Sequence, residues 1–189
     1  MIEDAFRRAL AALSHVAKGA EDLSRPLTEG AVTSLASALG QDVPADLLAI
    51  LRIRNGGWRV FEYDALPIDQ IQRRWEGLVA QLEEGAFEGH EVFASEAGTY
   101  KAVKWSRGFV PFAEDGGGNL LLVDVAPEPK GKTGQVLRWE RQGGPGMGSA
   151  PRTLGEYLQD YAALLESGDY VFDEEGFYED GPFVDAMYP

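Results

Sequence analysis

Apolar residues recur every three or four positions in five stretches of the chain, and this spacing predicts five amphipathic helices. They cover residues 3–18, a stretch from Thr28 to Gly40, one that begins at Pro44, one that follows Pro67, and one from Thr153 to Gly168. The two threonines are suitable N-caps, and the glycines suit the left-handed residue that ends a helix. Proline is favoured in a first helical turn because its missing N–H has no partner there.

Residues 58–63 and the stretch from 100 to 140 show short apolar or alternating runs, which are typical of strands. The predicted strands cover residues 58–63, 100–105, 109–113, 119–125 and 135–140. The run NLLLVDV at 119–125 is apolar on both faces, so it should be the central strand. Pro111 cannot donate a ladder hydrogen bond, which predicts an edge strand or the start of a strand at 109–113. The glycine-rich segment 142–151 is predicted to be a loop, and residues 83–99 an exposed excursion.

The four tryptophans lie on the apolar stripes of these elements or at their ends, which favours core positions. Trp58 and Trp105 lie near element ends, so we expect these two to be the more exposed ones.

The composition of the 189-residue chain fits a single globular domain with a strong acidic excess. Seventeen basic and 31 acidic residues give a formal net charge of −14. Such a surface repels phosphate backbones and anionic lipids, so we expect neither nucleic acid nor membrane as a partner. It attracts a basic protein, although the same charge also serves solubility alone.

Other classes are disfavoured by what the sequence lacks. The chain contains no cysteine, so it has no disulfide and no thiolate chemistry, which suits a reducing compartment. Its first residues show neither the basic nor the continuous apolar region of a secretory signal, and no apolar run is long enough to span a bilayer. We therefore expect a soluble cytoplasmic protein.

The segment PFAEDGGGNLLLVDV, residues 111–125, raises the question of a ligand-binding loop. A phosphate cradle presents backbone N–H groups ahead of a helix, but these glycines lead into a strand beside two acids. A turn is the better interpretation, with Asp115 and Asn119 bonding nearby backbone N–H groups. Glu114 and Asp115 remain secondary candidates for contact with a partner.

Catalytic and metal-binding patterns are not found. His15 and His90 have no sequence neighbour that marks a nucleophile or a metal site, and no nucleophile elbow, zinc-protease motif or Walker motif occurs. The acidic tail lacks the alternating acids of a calcium loop, and the neighbouring Glu174 and Glu175 point apart on an extended chain. We expect no enzymatic activity, no cofactor and no metal site.

Residues 169–189 combine acidic and aromatic side chains and contain neither lysine nor arginine. A purely solvating acidic tail has few aromatics, so this tail should dock, either on its own domain or on a partner. If a partner is bound, the residues we expect to carry the contact are five acids and two aromatic anchors: Asp173, Glu174, Glu175, Phe177, Tyr178, Glu179 and Asp180.

Four segments in this order resemble the SUKH superfamily, which includes the Smi/Knr-type domain. They are VPADLLAILRIRNGGW (43–58), GFVPFAEDGGGNLLLVDVAP (108–127), GQVLRWE (134–140) and APRTLGEYLQDYAALLESGDY (150–170). The resemblance covers about residues 28–170 of a single domain, leaving an N-terminal helix (1–19) and the acidic aromatic tail (169–189) outside it.

The resemblance implies an α+β fold with a mainly antiparallel sheet backed by helices. It also implies a protein that works by binding: bacterial members are largely immunity proteins that neutralise a cognate polymorphic toxin, and other members are regulatory scaffolds. We expect an immunity protein that binds one toxin, favoured by the acidic charge if that toxin is basic. A regulatory scaffold is the alternative.

Overall fold

The computed structural model describes residues 1–16, 26–92, 98–146 and 150–168. Within them lie five helices: α1 (Ile2–Val16), α2 (Glu29–Leu39), α3 (Ala45–Ile53), α4 (Ile68–Glu83) and α5 (Leu154–Ser167). Six strands accompany the helices: β1 (Arg59–Val60), β2 (Tyr63–Ala65), β3 (Phe109–Glu114), β4 (Leu120–Asp124), β5 (Gln135–Glu140) and β6 (Gly144–Gly146). The predicted α+β class is confirmed.

The strands form one antiparallel sheet in chain order, β1-β2-β3-β4-β5-β6. Strand β4 lies between β3 and β5, and every one of its residues is buried. This confirms the predicted central strand, because only a strand covered on both faces tolerates an apolar run without alternation.

Helices cover both faces of this sheet, and successive β4 side chains enter two different cores. Leu121 and Val123 join the first core, which includes side chains of α1, α3 and α5. Leu120 and Leu122 join the second core, to which α4 contributes Trp75, Leu78 and Val79. The predicted antiparallel sheet backed by helices is therefore confirmed, with helices on two sides.

Helix α1 is part of the first core. Phe6 is fully buried, and its ring meets Trp58 edge to face at a centroid distance of 4.7 Å. The side chain of Arg8 binds Glu166 near the end of α5, with Nε 2.8 Å from Oε1. The apolar stripe of α1 thus packs on α5 and α3 of its own chain.

The predicted caps are present at the helix ends. The hydroxyl of Thr28 accepts from the N–H of Ala31, and that of Thr153 forms a capping box with Glu156. Gly40 and Gly168 end α2 and α5 in the left-handed conformation, with φ of 69° and 78°.

The Asn-Gly-Gly turn after α3 positions α4. The amide oxygen of Asn55 accepts from the N–H of Ile68, the first residue of α4, at 2.9 Å. A Cβ at Gly56 would lie 2.5 Å from the backbone nitrogen of Pro67, so only glycine permits this close approach. The local sequence therefore orients a helix that begins a dozen residues later.

Three strand predictions are wrong. Residues 58–63 form two strands instead of one, because the chain turns at Phe61, whose φ is +53°. The hydroxyl of Tyr161 accepts from the N–H of Phe61 and donates to the carbonyl of Arg59. Residues 100–105 make only an isolated bridge at Tyr100, and the predicted loop 142–151 contains the edge strand β6.

The edge position predicted for the Pro111 strand is also wrong, since β3 is the third strand of six and Pro111 is its third residue. Strand β2 pairs only with the far end of β3, at Ala113 and Glu114, and a register shift lies between Pro111 and Ala113. The missing N–H is tolerated beside this register shift, because bulges are among the places where a sheet accepts proline.

The expected exposure of Trp58 and Trp105 is wrong as well, since they retain only 5% and 2% of their accessible surface. Trp105 packs between Phe109 and Trp139, with ring centroids 5.8 and 5.7 Å away. The strand and helix faces that cover these two rings come from distant parts of the chain, so their burial was not visible locally.

A buried polar network closes the end of the sheet opposite the glycine turn. The carboxylate of Asp124 accepts from the side chain of Gln135 at 3.1 Å and from the N–H of Ala126 at 3.1 Å. The same Gln135 amide donates to the carbonyl of Thr99 at 2.9 Å. Burial raises the pKa of Asp124 to about 6, partly offset by these hydrogen bonds.

Candidate functional site

The glycine turn between β3 and β4 is held by one carboxylate. Asp115 Oδ1 accepts from the N–H groups of Gly117 and Asn119 at 2.8 and 2.9 Å, and Oδ2 accepts from the Asn119 side chain at 2.6 Å. Gly116 and Gly118 have φ of 74° and 99°, a region that favours glycine. The structure thus assigns this motif a role as a turn, as predicted.

The turn also contacts the neighbouring hairpin. The side-chain oxygen of Asn119 accepts from the N–H of Arg141, which follows β5, at 3.0 Å. The carboxylate of Asp115 therefore has its two oxygens engaged by the turn, while Gly116 and Gly117 remain exposed. What this turn offers a partner is its exposed backbone rather than a free carboxylate.

Glu114 links the turn to α4. Its carboxylate pairs with the guanidinium of Arg74, and the two side chains are 26% and 44% exposed. An ion pair at this exposure contributes little stability, about 0–1 kcal/mol. Its main consequence is geometric, since it joins the end of β3 to the outer face of α4.

A groove of about 300 Å³ lies along this junction. Residues of three parts of the chain line it: the residue after β2, the outer face of α4 and the end of β3. They are Leu66, Gln70, Arg73, Arg74, Gly77, Leu78, Gln81 and Glu114. The six α4 residues follow the spacing i, i+3, i+4, i+7, i+8 and i+11, so they form one stripe of the helix. We call this the α4 groove.

On the opposite side of the turn, polar side chains of β2 and β5 form a half-buried cluster. Arg138 pairs with Glu140, and both lie near Tyr63. Burial raises the pKa of the Tyr63 phenol well above its ordinary value, and the charge of Glu62 adds to this. The phenol therefore stays protonated at neutral pH and can act only as a hydrogen-bonding group there.

Candidate metal ligands do not gather in the described part of the chain: no three His, Cys, Asp or Glu side chains there are placed to hold an ion. His90 is exposed, and the side chain of His15 lies outside the described residues. Within the described ranges, no helix is long and apolar enough to cross a membrane.

Of the predicted contact residues, the structure describes Glu114 and Asp115 and brings both to the glycine turn. The remaining seven, Asp173, Glu174, Glu175, Phe177, Tyr178, Glu179 and Asp180, lie outside the described residues.

The α4 groove was not predicted from the sequence. Gly77 stands inside the predicted helix, and an interior glycine lowers helix stability by about 1 kcal/mol relative to alanine. That residue was the available signal, because it marks a position where a helix gives up stability and carries no side chain.

The order of the elements and the glycine turn agree with a match to a family model, SMI1 / KNR4 family (SUKH-1), over residues 26–176. The chain belongs to this SUKH-1 family. The matched range includes α2 to α5, the whole sheet and the α4 groove. It excludes α1, which nevertheless packs on the family domain.

Three fungal relatives carry similar segments. A KNR4/SMI1 homolog of Kluyveromyces lactis is 36% identical over 36% of this chain and 13% of its own length, and KNR4/SMI1 homolog 2 of Debaryomyces hansenii is 33% identical over 42% and 13%. The Schizosaccharomyces pombe protein named cell wall biosynthesis/cell cycle regulator smi1 is 27% identical over 76% of this chain and 32% of its own length. The chain thus spans a third or less of each of these relatives.

Proposed function

We propose that this SUKH-1 protein is an immunity protein that binds one cognate protein toxin in a stoichiometric complex, in the cytoplasm, without catalysing a reaction. The observation that carries this proposal is the net charge of −14 on a member of a family in which binding is the expected activity. A basic toxin would complement such a field, and the acidic surface would occupy the toxin's substrate-binding cleft.

Exposed acids in the described part of the chain support a negatively charged binding surface. Glu83, Glu84, Glu88 and Glu91 are exposed at the end of α4 and in the turns after it. No lysine or arginine occurs between Trp75 and Tyr100, so this surface lacks basic residues of its own segment. Arg107 pairs with Glu83, which leaves the other three as the stronger contributors.

The rate of association with the partner and the rate of dissociation from it are expected to depend on different residues. Charge raises the encounter rate, whereas packed aromatic anchors slow dissociation. We assign the first role to the acids at 173–175 and 179–180, and the second to Phe177 and Tyr178. Glu114 and Asp115 are assigned a secondary role at the glycine turn, through its exposed backbone.

The first experiment is affinity purification of the tagged protein from its host, followed by identification of the bound protein. A single tightly bound partner that is toxic when this chain is deleted is the expected result. Recovery of no partner under low-salt conditions, together with survival of the deletion strain, would contradict the proposal.

The second experiment measures association kinetics with that partner at low salt. Reversing the charges of Glu174, Glu175 and Asp180 to lysine should lower the association rate at least tenfold. The matched control reverses Glu3, Glu29 and Asp42, which are exposed elsewhere and change the net charge equally. Equal rates for the two triple variants would exclude the tail from the contact.

A regulatory adaptor is the second candidate function. It is favoured by the printed name of the Schizosaccharomyces pombe relative, a cell wall biosynthesis and cell cycle regulator, which aligns with 76% of this chain. An adaptor would capture several host proteins, and its deletion would not expose a toxic neighbour. The same purification therefore separates the two candidates.

A further inference from the structure

Gly77 lines the α4 groove, and the packing of the rest of the domain does not require a glycine at this position. A Cβ built at Gly77 meets no heavy atom within 4 Å. Alanine would therefore fit and would favour the helix by about 1 kcal/mol. The missing side chain instead leaves room in the groove, midway along the α4 stripe from Gln70 to Gln81.

The groove combines an apolar floor with a rim that contains two arginines. Leu66 and Leu78 are buried beneath it, with 4% and 7% of their surface exposed. Arg74 pairs with Glu114. Arg73 is 68% exposed, and its ion pair in the described part of the chain is with Asp69 of its own helix. On a chain of net charge −14, this rim is suited to an acidic segment that also carries apolar rings.

One segment of this chain has that composition. Residues 169–189 contain seven acids, Asp169, Asp173, Glu174, Glu175, Glu179, Asp180 and Asp185, and six aromatic residues, Tyr170, Phe172, Phe177, Tyr178, Phe183 and Tyr188. The segment has no lysine or arginine, and it begins where Gly168 ends α5. The family match includes its first residues, up to 176.

The length of the segment allows it to reach the groove, which lies on the other side of the sheet from α5. Twenty-one residues span up to about 70 Å when extended. A compact domain of this size has a radius of gyration of about 16 Å. The connection therefore requires only part of the segment.

We propose that residues 182–188 of this chain dock in the α4 groove of the same molecule, with the rings of Phe183 and Tyr188 over Gly77 and the carboxylate of Asp185 beside Arg73. The docked segment brings its remaining acids next to Glu83 and Glu84, so one continuous negative surface is formed before any partner arrives. Docking in advance reduces the conformational entropy lost on partner binding. This inference does not depend on the identity of the partner.

The test uses the full chain with a nitroxide spin label on Gly181→Cys, a unique thiol because the protein has no cysteine. Paramagnetic broadening of backbone amide signals then reports which residues lie near the label. We expect the amide signals of Gly77 and Gln81 to lose at least half of their intensity, while that of Ala9, on α1 in the first core, is retained.

Two leucine variants separate docking from folding. Gly77→Leu fills the groove and should restore the α4 amide signals to at least 80% of their unlabelled intensity. Gly30→Leu in α2 is the matched control, since a Cβ there also meets no atom within 4 Å, and it should leave the broadening unchanged. Tryptophan fluorescence and thermal unfolding are measured for both variants, to check that each one folds.

Three outcomes would overturn the proposal: no broadening on α4, broadening centred on another surface such as α1, or equal broadening in both leucine variants. Mixing labelled chain with unlabelled, isotope-enriched chain detects docking between molecules. Broadening that appears only in this mixture would assign the groove to a second copy and overturn the intramolecular contact.

Discussion

Asp124→Asn should remove a pH dependence that one buried carboxylate imposes on stability. Asp124 is fully buried, and its pKa rises from 3.8 to about 6 on folding. A raised pKa means that the folded state binds the proton more tightly than the unfolded state. The stabilising contribution of Asp124 is therefore complete below pH 3.8 and is lost as the pH rises through 6.

The magnitude follows from the pKa difference. About two pKa units at 1.36 kcal/mol each amount to about 3 kcal/mol over the whole titration, of which about 2 kcal/mol falls between pH 4 and pH 7. Asparagine has nearly the same shape and no charge. Its amide nitrogen faces the donating amide of Gln135, which adds a penalty of about 1–3 kcal/mol that does not change with pH.

The assay is urea unfolding followed by tryptophan fluorescence at intervals from pH 4 to pH 7, for wild type and Asp124→Asn. The unfolding free energy of the wild type should fall by about 2 kcal/mol relative to the variant as the pH rises. Asp42→Asn removes an exposed carboxylate and serves as the control for net charge. Parallel curves for wild type and Asp124→Asn would refute the reasoning.

Three further substitutions test the turn, α1 and the last helix. Asp115→Ala removes the acceptor of three hydrogen bonds and should lower the unfolding free energy by about 2–3 kcal/mol, measured by urea denaturation. Phe6→Ala should cost about 3–5 kcal/mol in the same measurement, because α1 belongs to the first core. Thr153→Ala should cost about 1 kcal/mol through loss of the capping box, visible as a lower thermal midpoint.

Conservative variants provide the controls for these three substitutions. Asp115→Asn retains an oxygen for the two backbone N–H groups and should recover part of the loss, whereas Thr153→Ser should recover most of it. A cost below about 1 kcal/mol for Phe6→Ala would show that α1 does not pack as described. Equal stability of the alanine and asparagine variants at 115 would contradict the role of the carboxylate in the turn.

The local sequence determined the elements that depend on neighbouring residues. Caps at Thr28 and Thr153, and the glycine turn around Asp115, use groups within a few positions of one another. The central position of β4 was also predictable, because a run of buried apolar residues needs cover on both faces. Net charge is a sum over the chain, so it required no structure.

Contacts between residues far apart in the sequence decided the features that could not be predicted from it. Residues 58–63 turn at Phe61 because Tyr161, 100 positions away, binds the backbone there. The α4 groove exists because Arg74 meets Glu114, 40 positions away, and because the Asn55 turn orients α4 against the sheet. Periodicity reports which face of an element is apolar, but only the folded chain shows which faces meet and where a space remains between them.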